Sequence, residues 1–198
     1  MPSATDPLRH EVRIAAPPEV VFAYFTDPIR IVRWMGVSAL LDPRPGGTFR
    51  VEVNGRDVVL GEYVEITPPH RVVFTWGFDG SEPFVAAGST RVEVTLEPDA
   101  DGTLLTLRHH DLAPPARPPH AEGWAHYLAR LARAAAGDAP GRDPWITTDQ
   151  YLRSPPPSSR AGTRPWAFAP LEPMATCNAS PPGRRRTAAR RWRSPRRT

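Results

Sequence analysis

His109, His110 and Asp111 stand in a row, the densest run of acid–base or metal-ligating side chains in the sequence. They fall at the end of an alternating run, Gly102 to Asp111, that reads as a β-strand, and successive strand residues point to opposite faces. His109 and His110 therefore cannot both ligate one metal without a bulge. Leu105 and Leu107 share a face with His109, which turns that histidine inward and His110 to solvent. The simplest reading is a hydrogen-bonded histidine at the edge of a pocket; contact with a ligand is the alternative, and no metal site is assigned. Nucleophilic catalysis needs a Ser, Thr or Cys with a base in reach. The only cysteine is Cys177, there is no Gly-x-Ser-x-Gly, and neither Ser81 nor Ser89 has a motif around it. No catalytic residue is nominated. Gly46-Gly47 lies in a strand-to-strand turn rather than ahead of a helix, so it does not make a phosphate-binding loop.

All 25 basic residues are arginine. Without lysine there is no Schiff-base or lysine general-base chemistry. One cysteine excludes an intramolecular disulfide and a structural zinc site built from several thiolates.

Aromatic residues are the more informative set. Phe49, Val51 and Val53 alternate with Arg50 and Glu52, and Val72, Phe74 and Trp76 repeat the pattern, so one face of each strand is apolar and aromatic while the other is polar. An antiparallel sheet wetted on one side reads this way. Such aromatics most often fill a core, but they also line ligand pockets.

Residues 8–15 alternate as a first strand that stops at Pro17-Pro18. Pro suits the first helical turn, Glu19 suits the positive end of the dipole, and Val20, Val21, Tyr24 and Phe25 form the apolar stripe of a helix. Asp27-Pro28 ends it and opens a short second helix with Ile31, Val32 and Trp34, stopped at Gly36. Six strands follow near 37–42, 48–54, 57–66, 71–77, 89–98 and 103–111, with Asn54-Gly55 as a hairpin signal. A proline-rich linker at 113–119 leads to an alanine-rich helix that lines up Trp124, Leu128, Leu131 and Ala135 and ends at Gly137. Residues 138–153 either pack back through Trp145 and Tyr151 or begin a disordered segment.

The net charge of +4 conceals two opposite halves. Residues 1–153 hold 15 Arg against 20 acidic residues, a net of −5, while residues 154–198 hold 10 Arg against Glu172, a net of +9. With 9 Pro in those 45 residues and apolar groups only singly placed, the segment lacks the area to offset chain entropy and is expected to be disordered. Arg184-Arg185-Arg186 and Arg190-Arg191-Trp192-Arg193 suit nucleic acid or an acidic membrane surface; an unselected or misread extension is the alternative. The domain ahead of it, mildly acidic, gives no reason to expect nucleic-acid binding of its own. Neither an apolar leader-like run nor 18 consecutive apolar residues occurs, so a soluble cytoplasmic protein without a membrane span is expected.

The sequence resembles the START-like (SRPBCC, Bet v 1-like) helix-grip group and, within it, the branch similar to the C-terminal domain of the Hsp90 ATPase activator. The resemblance rests on Ala16-Pro17-Pro18-Glu19-Val20-Val21, Arg33-Trp34, Arg44-Pro45-Gly46-Gly47, Gly61-Glu62-Tyr63 and the run Pro68 to Trp76. Farther on it rests on Ser89 to Leu96, Gly102 to His109 and Gly123-Trp124. These matches carry weight through their order and spacing, over roughly residues 8–137. The resemblance implies an α+β fold in which a curved seven-stranded antiparallel sheet wraps a long C-terminal helix, residues 1–137 forming the domain. It also implies a cavity between sheet and helix, with Trp34, Phe49, Val51, Phe74, Trp76, Phe78, His109, Trp124 and Tyr127 as candidate lining. The implied function is binding of a hydrophobic small molecule, oriented by rim groups such as His109 or Tyr127, with no cofactor. Two rivals stay open: an interaction protein for an Hsp90-type chaperone or other stress-response partner, and a cyclase- or hydrolase-like enzyme using the same pocket.

Overall fold

The computed structural model describes residues 6–80 and 85–146. Strand β1, Leu8–Ile14, is followed by helices α1, Pro18–Thr26, and α2, Pro28–Ile31. Six strands come next: β2 Ser38–Leu41, β3 Thr48–Glu52, β4 Val58–Thr67, β5 Arg71–Trp76, β6 Thr90–Asp99 and β7 Gly102–His110. A 3₁₀ turn, Pro114–Ala116, leads into the long helix α3, Arg117–Ala135. All strand pairs are antiparallel and the sheet order is β1-β7-β6-β5-β4-β3-β2, so the first strand closes onto the last while β2 and β1 form the edges. This is the expected seven-stranded α+β helix-grip arrangement.

Alternation fixes what faces α3. Leu105, Leu107 and His109 on β7, and Val92, Val94 and Leu96 on β6, are all buried against the helical layer. The outer face carries ions instead. Glu93 on β6 meets Arg71 of β5 at 2.6 Å and Arg108 of β7 at 3.3 Å, and His110 lies 3.4 Å from it. Burial pushes the Glu93 carboxyl up, but the bond from Arg71 and the surrounding positive groups outweigh it and hold it below the usual carboxylate range. Its place on a polar face predicts only a solvated charge, but Glu93 knits three strands together.

One end of the groove between sheet and α3 is filled solid. Tyr24 of α1 donates its hydroxyl to the carbonyl of Ala134 on α3, 2.7 Å away, and Tyr63 of β4 donates to the carbonyl of Phe25 at 2.7 Å. Trp34, past α2, donates to Tyr24 O at 3.1 Å, packs edge-on against Phe25 with ring centres 5.3 Å apart, and receives Arg130 Nε of α3 on its own carbonyl. Phe49 stacks on Phe74 at 4.1 Å with 12° between planes, and Tyr63 meets the edge of Phe49 at 5.5 Å. These polar tips and aromatic bodies are satisfied within the protein.

Three local differences from the sequence expectations have simple causes. Residues 113–119 are not a linker throughout: Pro118 and Pro119 occupy the first turn of α3, where the missing N–H would have no partner anyway. Asn54-Gly55 turns a hairpin, but not a two-residue one. Asn54 Oδ1 accepts the amides of Arg56 and Asp57, its Nδ2 donates to Asp57 Oδ2 at 2.7 Å, and Val53 N reaches Asp57 O at 2.8 Å. This side-chain-closed turn lengthens the loop. Finally, residues 138–146 pack on α3 rather than leaving the domain. Tyr151 and the basic segment 154–198 with its expected disorder lie outside the described residues.

Candidate ligand cavity

Past the Phe49–Phe74 stack the groove opens into a cavity of about 290 Å³. Its sheet side is Val53, Trp76 and Phe78, its rim the turn residues Asn54 and Asp57, and its helical side runs from Pro115 to Tyr127 of the 3₁₀ turn and α3. Trp76 and Trp124 pack directly against each other in its wall, with ring centres 4.9 Å apart. Phe78 meets the edge of Trp76 at 6.1 Å. Two backbone features give the space its shape. At Gly123, on the cavity side of α3, an added Cβ would meet nothing within 4 Å, so the missing side chain is open volume. At Gly77, between Trp76 and Phe78, a Cβ would lie 1.7 Å from the carbonyl of Ala86, so only glycine lets residues 85–87 close over that strand end, where Phe78 N bonds Val85 O at 2.9 Å.

Of the nine residues nominated from sequence, Trp76, Phe78, Trp124 and Tyr127 line this cavity. Trp34, Phe49, Val51 and Phe74 are fully buried and belong to the solid end of the groove. Phe49, Val51 and Phe74 share the sheet's apolar face but are covered by α1, α2 and Tyr63, and Trp34, past α2, packs within that cover.

His109 sits one layer behind the wall, with no exposed surface. Trp124 Nε1 lies 3.0 Å from its Nδ1, and Thr90 Oγ1 lies 2.8 Å from its Nε2 and 2.8 Å from Trp76 O. An indole N–H only donates and a carbonyl only accepts, so the chain has one direction. Trp124 donates to Nδ1, Nε2–H donates to Thr90, and Thr90 donates to Trp76. The ring is neutral, in agreement with a pKa pushed down to about 2 by burial, helped by His120 and His110. With both nitrogens engaged inside the protein, His109 does not orient a ligand, contrary to the role the resemblance assigned it; it positions the two tryptophans that do form the wall.

Sequence reasoning missed His120 and Trp145. His120 lines the cavity and donates Nδ1–H to Ala116 O at 2.8 Å, which makes Nε2 the lone-pair nitrogen of the neutral ring. It falls between the stretch read as linker, 113–119, and the alanine-rich run read as helix. Trp145 lines the cavity from residues beyond α3, 42% exposed, stacked on His126 with ring centres 4.0 Å apart and edge-on to Tyr127 at 5.6 Å. The Trp76 indole N–H is buried without a hydrogen-bond partner among the described residues, so a ligand oxygen that reached it would make a bond no protein atom makes. Among the described lining residues the formal charge comes from Asp57, and no arginine is present. No cluster of three or more His, Cys, Asp or Glu among the described residues is placed to hold a metal, and none of the described helices is long and apolar enough to cross a membrane.

The sheet, the gripped helix and the cavity at one end of their groove define a helix-grip domain of the START-like class. Residues 15–136 match the family described as activator of Hsp90 ATPase homolog 1-like protein, and the chain belongs to that family. An AHSA1-like protein of Rhizobium etli, residues 1–152, is 44% identical, with a TM-score of 0.58 over 74% of this chain and 94% of that one. CalU16 from Micromonospora echinospora is 29% identical, with a TM-score of 0.54 over 65% of this chain and 74% of that one. An HSP90 activator from Plasmodium falciparum is 27% identical, with a TM-score of 0.54 over 64% of this chain and 93% of that one. Among curated proteins no match is found.

Proposed function

We propose that the protein binds a small, largely apolar aromatic molecule in the cavity between the Trp76 end of the sheet and the first turns of α3. The observation that carries this reading is a half-open space of about 290 Å³ walled by Trp76, Phe78, Trp124, Tyr127 and Trp145, next to the packed aromatic end of the groove. That volume lies at the small end of ligand sites, and its walls have the aromatic character such sites need. Burial of ligand surface, at roughly 25 cal/mol per Å², supplies the affinity. Asp57 at the rim favours a neutral or cationic partner over an anionic one, since aromatic faces attract cations and an anion would meet a carboxylate without an arginine to offset it.

The test uses the space left by Gly123. A neutral fluorescent probe such as Nile red is expected to bind the full chain saturably at one site, and Gly123→Leu, which fills the cavity from the helix, is expected to abolish binding. Replacing glycine inside a helix also raises helix propensity, by about 0.5–1 kcal/mol, so this variant is not expected to lose stability. Unchanged binding in Gly123→Leu, or no saturable binding to the native chain, overturns the reading.

A second reading is favoured by the likeness to the Plasmodium HSP90 activator: contact with an Hsp90-type ATPase through the domain's surface. Stimulation of such an ATPase by the native protein and equally by Gly123→Leu supports this role as separate from the cavity.

A further inference from the structure

Residues 138–146 lie beyond the segment matched by the family, yet they supply one wall of the cavity. The geometry points to this strap as the element that sets ligand specificity, with Trp145 as the ligand-contacting residue and Asp143 as the residue that positions it. The inference rests on the cavity reading above and goes beyond it by assigning selection to a segment outside the shared domain.

The strap is tied down by α3's polar face. Arg130 donates to Pro140 O at 3.5 Å and Gly141 O at 3.2 Å, and Arg133 donates to Ala139 O at 3.1 Å. Asp143 is the buried centre of the attachment, 1% exposed. Its Oδ1 accepts from His126 Nε2 at 3.0 Å and from the backbone amide of Trp145 at 3.0 Å, while Oδ2 lies 3.6 Å from Arg130 Nε, an ionic contact rather than a hydrogen bond. A carboxylate this buried is stable only when charge and donors surround it, as here. Ile146, 4% exposed and bonded to Asp143 O at 3.2 Å, anchors the far end.

One carboxylate oxygen therefore grips both the histidine on which Trp145 stacks and the amide of Trp145 itself. The indole is 42% exposed, and among the described residues its ring contacts are His126 and Tyr127. Held there, it gives the cavity a flat wall beside Tyr127, which favours a planar ligand over a thick one. Released, the same indole leaves the wall open. Asp143 touches no part of the cavity itself, and its influence passes through Trp145.

A double-variant cycle in the full chain tests this, read by Nile red titration beside thermal melting. Trp145→Ala is expected to weaken binding on the order of tenfold, the scale of one lost aromatic contact. Asp143→Ala is expected to weaken it similarly, and the double variant no further than Trp145→Ala alone. Asp143→Asn keeps an oxygen for the Trp145 amide and is expected to restore most of the binding. If Asp143→Ala does not fold, His126→Ala, which removes the stacking partner from a position 20% exposed, takes its place in the cycle with the same expectation. Additive losses, or Asp143→Ala and His126→Ala binding like the native chain while Gly123→Leu still blocks the probe, overturn the strap's role and leave the cavity reading intact. Binding that survives Gly123→Leu overturns both.

Discussion

The indole nitrogen of Trp124 lies 3.0 Å from Nδ1 of His109, and this single bond decides the protonation state of the buried histidine. Because the indole can only donate, Nδ1 must keep its lone pair, and a proton added there would break the link between α3 and β7. The same ring is passed on through Thr90 to the backbone of Trp76, so both tryptophans that face the cavity hang on one neutral imidazole.

Acid is the first consequence. The folded pKa of His109 is about 2 against an ordinary 6.5, and burial also lowers that of His10. The unfolded chain therefore binds protons that the folded chain refuses once pH drops below about 6.5, and stability falls with falling pH until the folded values are reached. For His109 the slope approaches 1.4 kcal/mol per pH unit below that point, with His10 adding in the same direction. Urea unfolding at pH 7, 6 and 5 is expected to show this loss before the carboxylates titrate, and His109→Gln is expected to flatten it. A protein that grows more stable from pH 7 to 5 would count against the neutral, buried ring.

Trp124 has two jobs, so its removal has two costs. Trp124→Ala deletes the face packed against Trp76 and strips His109 of its donor. It is expected to destabilise by about 3–5 kcal/mol, the range for a large aromatic lost from a core. Trp124→Phe keeps most of the packing and loses the hydrogen bond, for about 1–3 kcal/mol. Chemical denaturation checks both; a loss below ~1 kcal/mol for the alanine variant would mean that the sheet does not grip this end of the helix.

Charge selection at the rim is read with one ring system in three states: 2-methylnaphthalene, 2-naphthylmethylammonium and 2-naphthoate. The neutral and cationic compounds are expected to bind, and the anion to bind at least about fivefold more weakly, since one half-exposed carboxylate is worth about 1 kcal/mol. Asp57→Asn is expected to erase the preference between cation and anion while leaving the neutral compound unchanged. Equal affinities in the native protein would remove Asp57 from the recognition scheme.

Alternation and turn chemistry alone carried the architecture: the inward set on β7, with His109 beside Leu105 and Leu107, follows from a period of two and needs no tertiary information. The helix stripe of Trp124, Leu128 and Leu131 follows in the same way from a period near 3.6. Depth along the groove does not. Phe49 on β3 and Trp76 on β5 are both aromatic and on the same face, with only β4 between their strands, yet one is sealed beneath Phe74 and Tyr63 and the other walls a cavity, because helices α1 and α2 reach only one end of α3. Periodicity reports which side of a strand a residue takes, whereas a cavity is a shortfall of volume between elements far apart in sequence. For the same reason Trp145 was legible only as an aromatic in an ambiguous extension. Its place depends on Asp143 meeting His126 and Arg130 across a helix surface, a meeting that no local pattern encodes and that only the folded chain brings about.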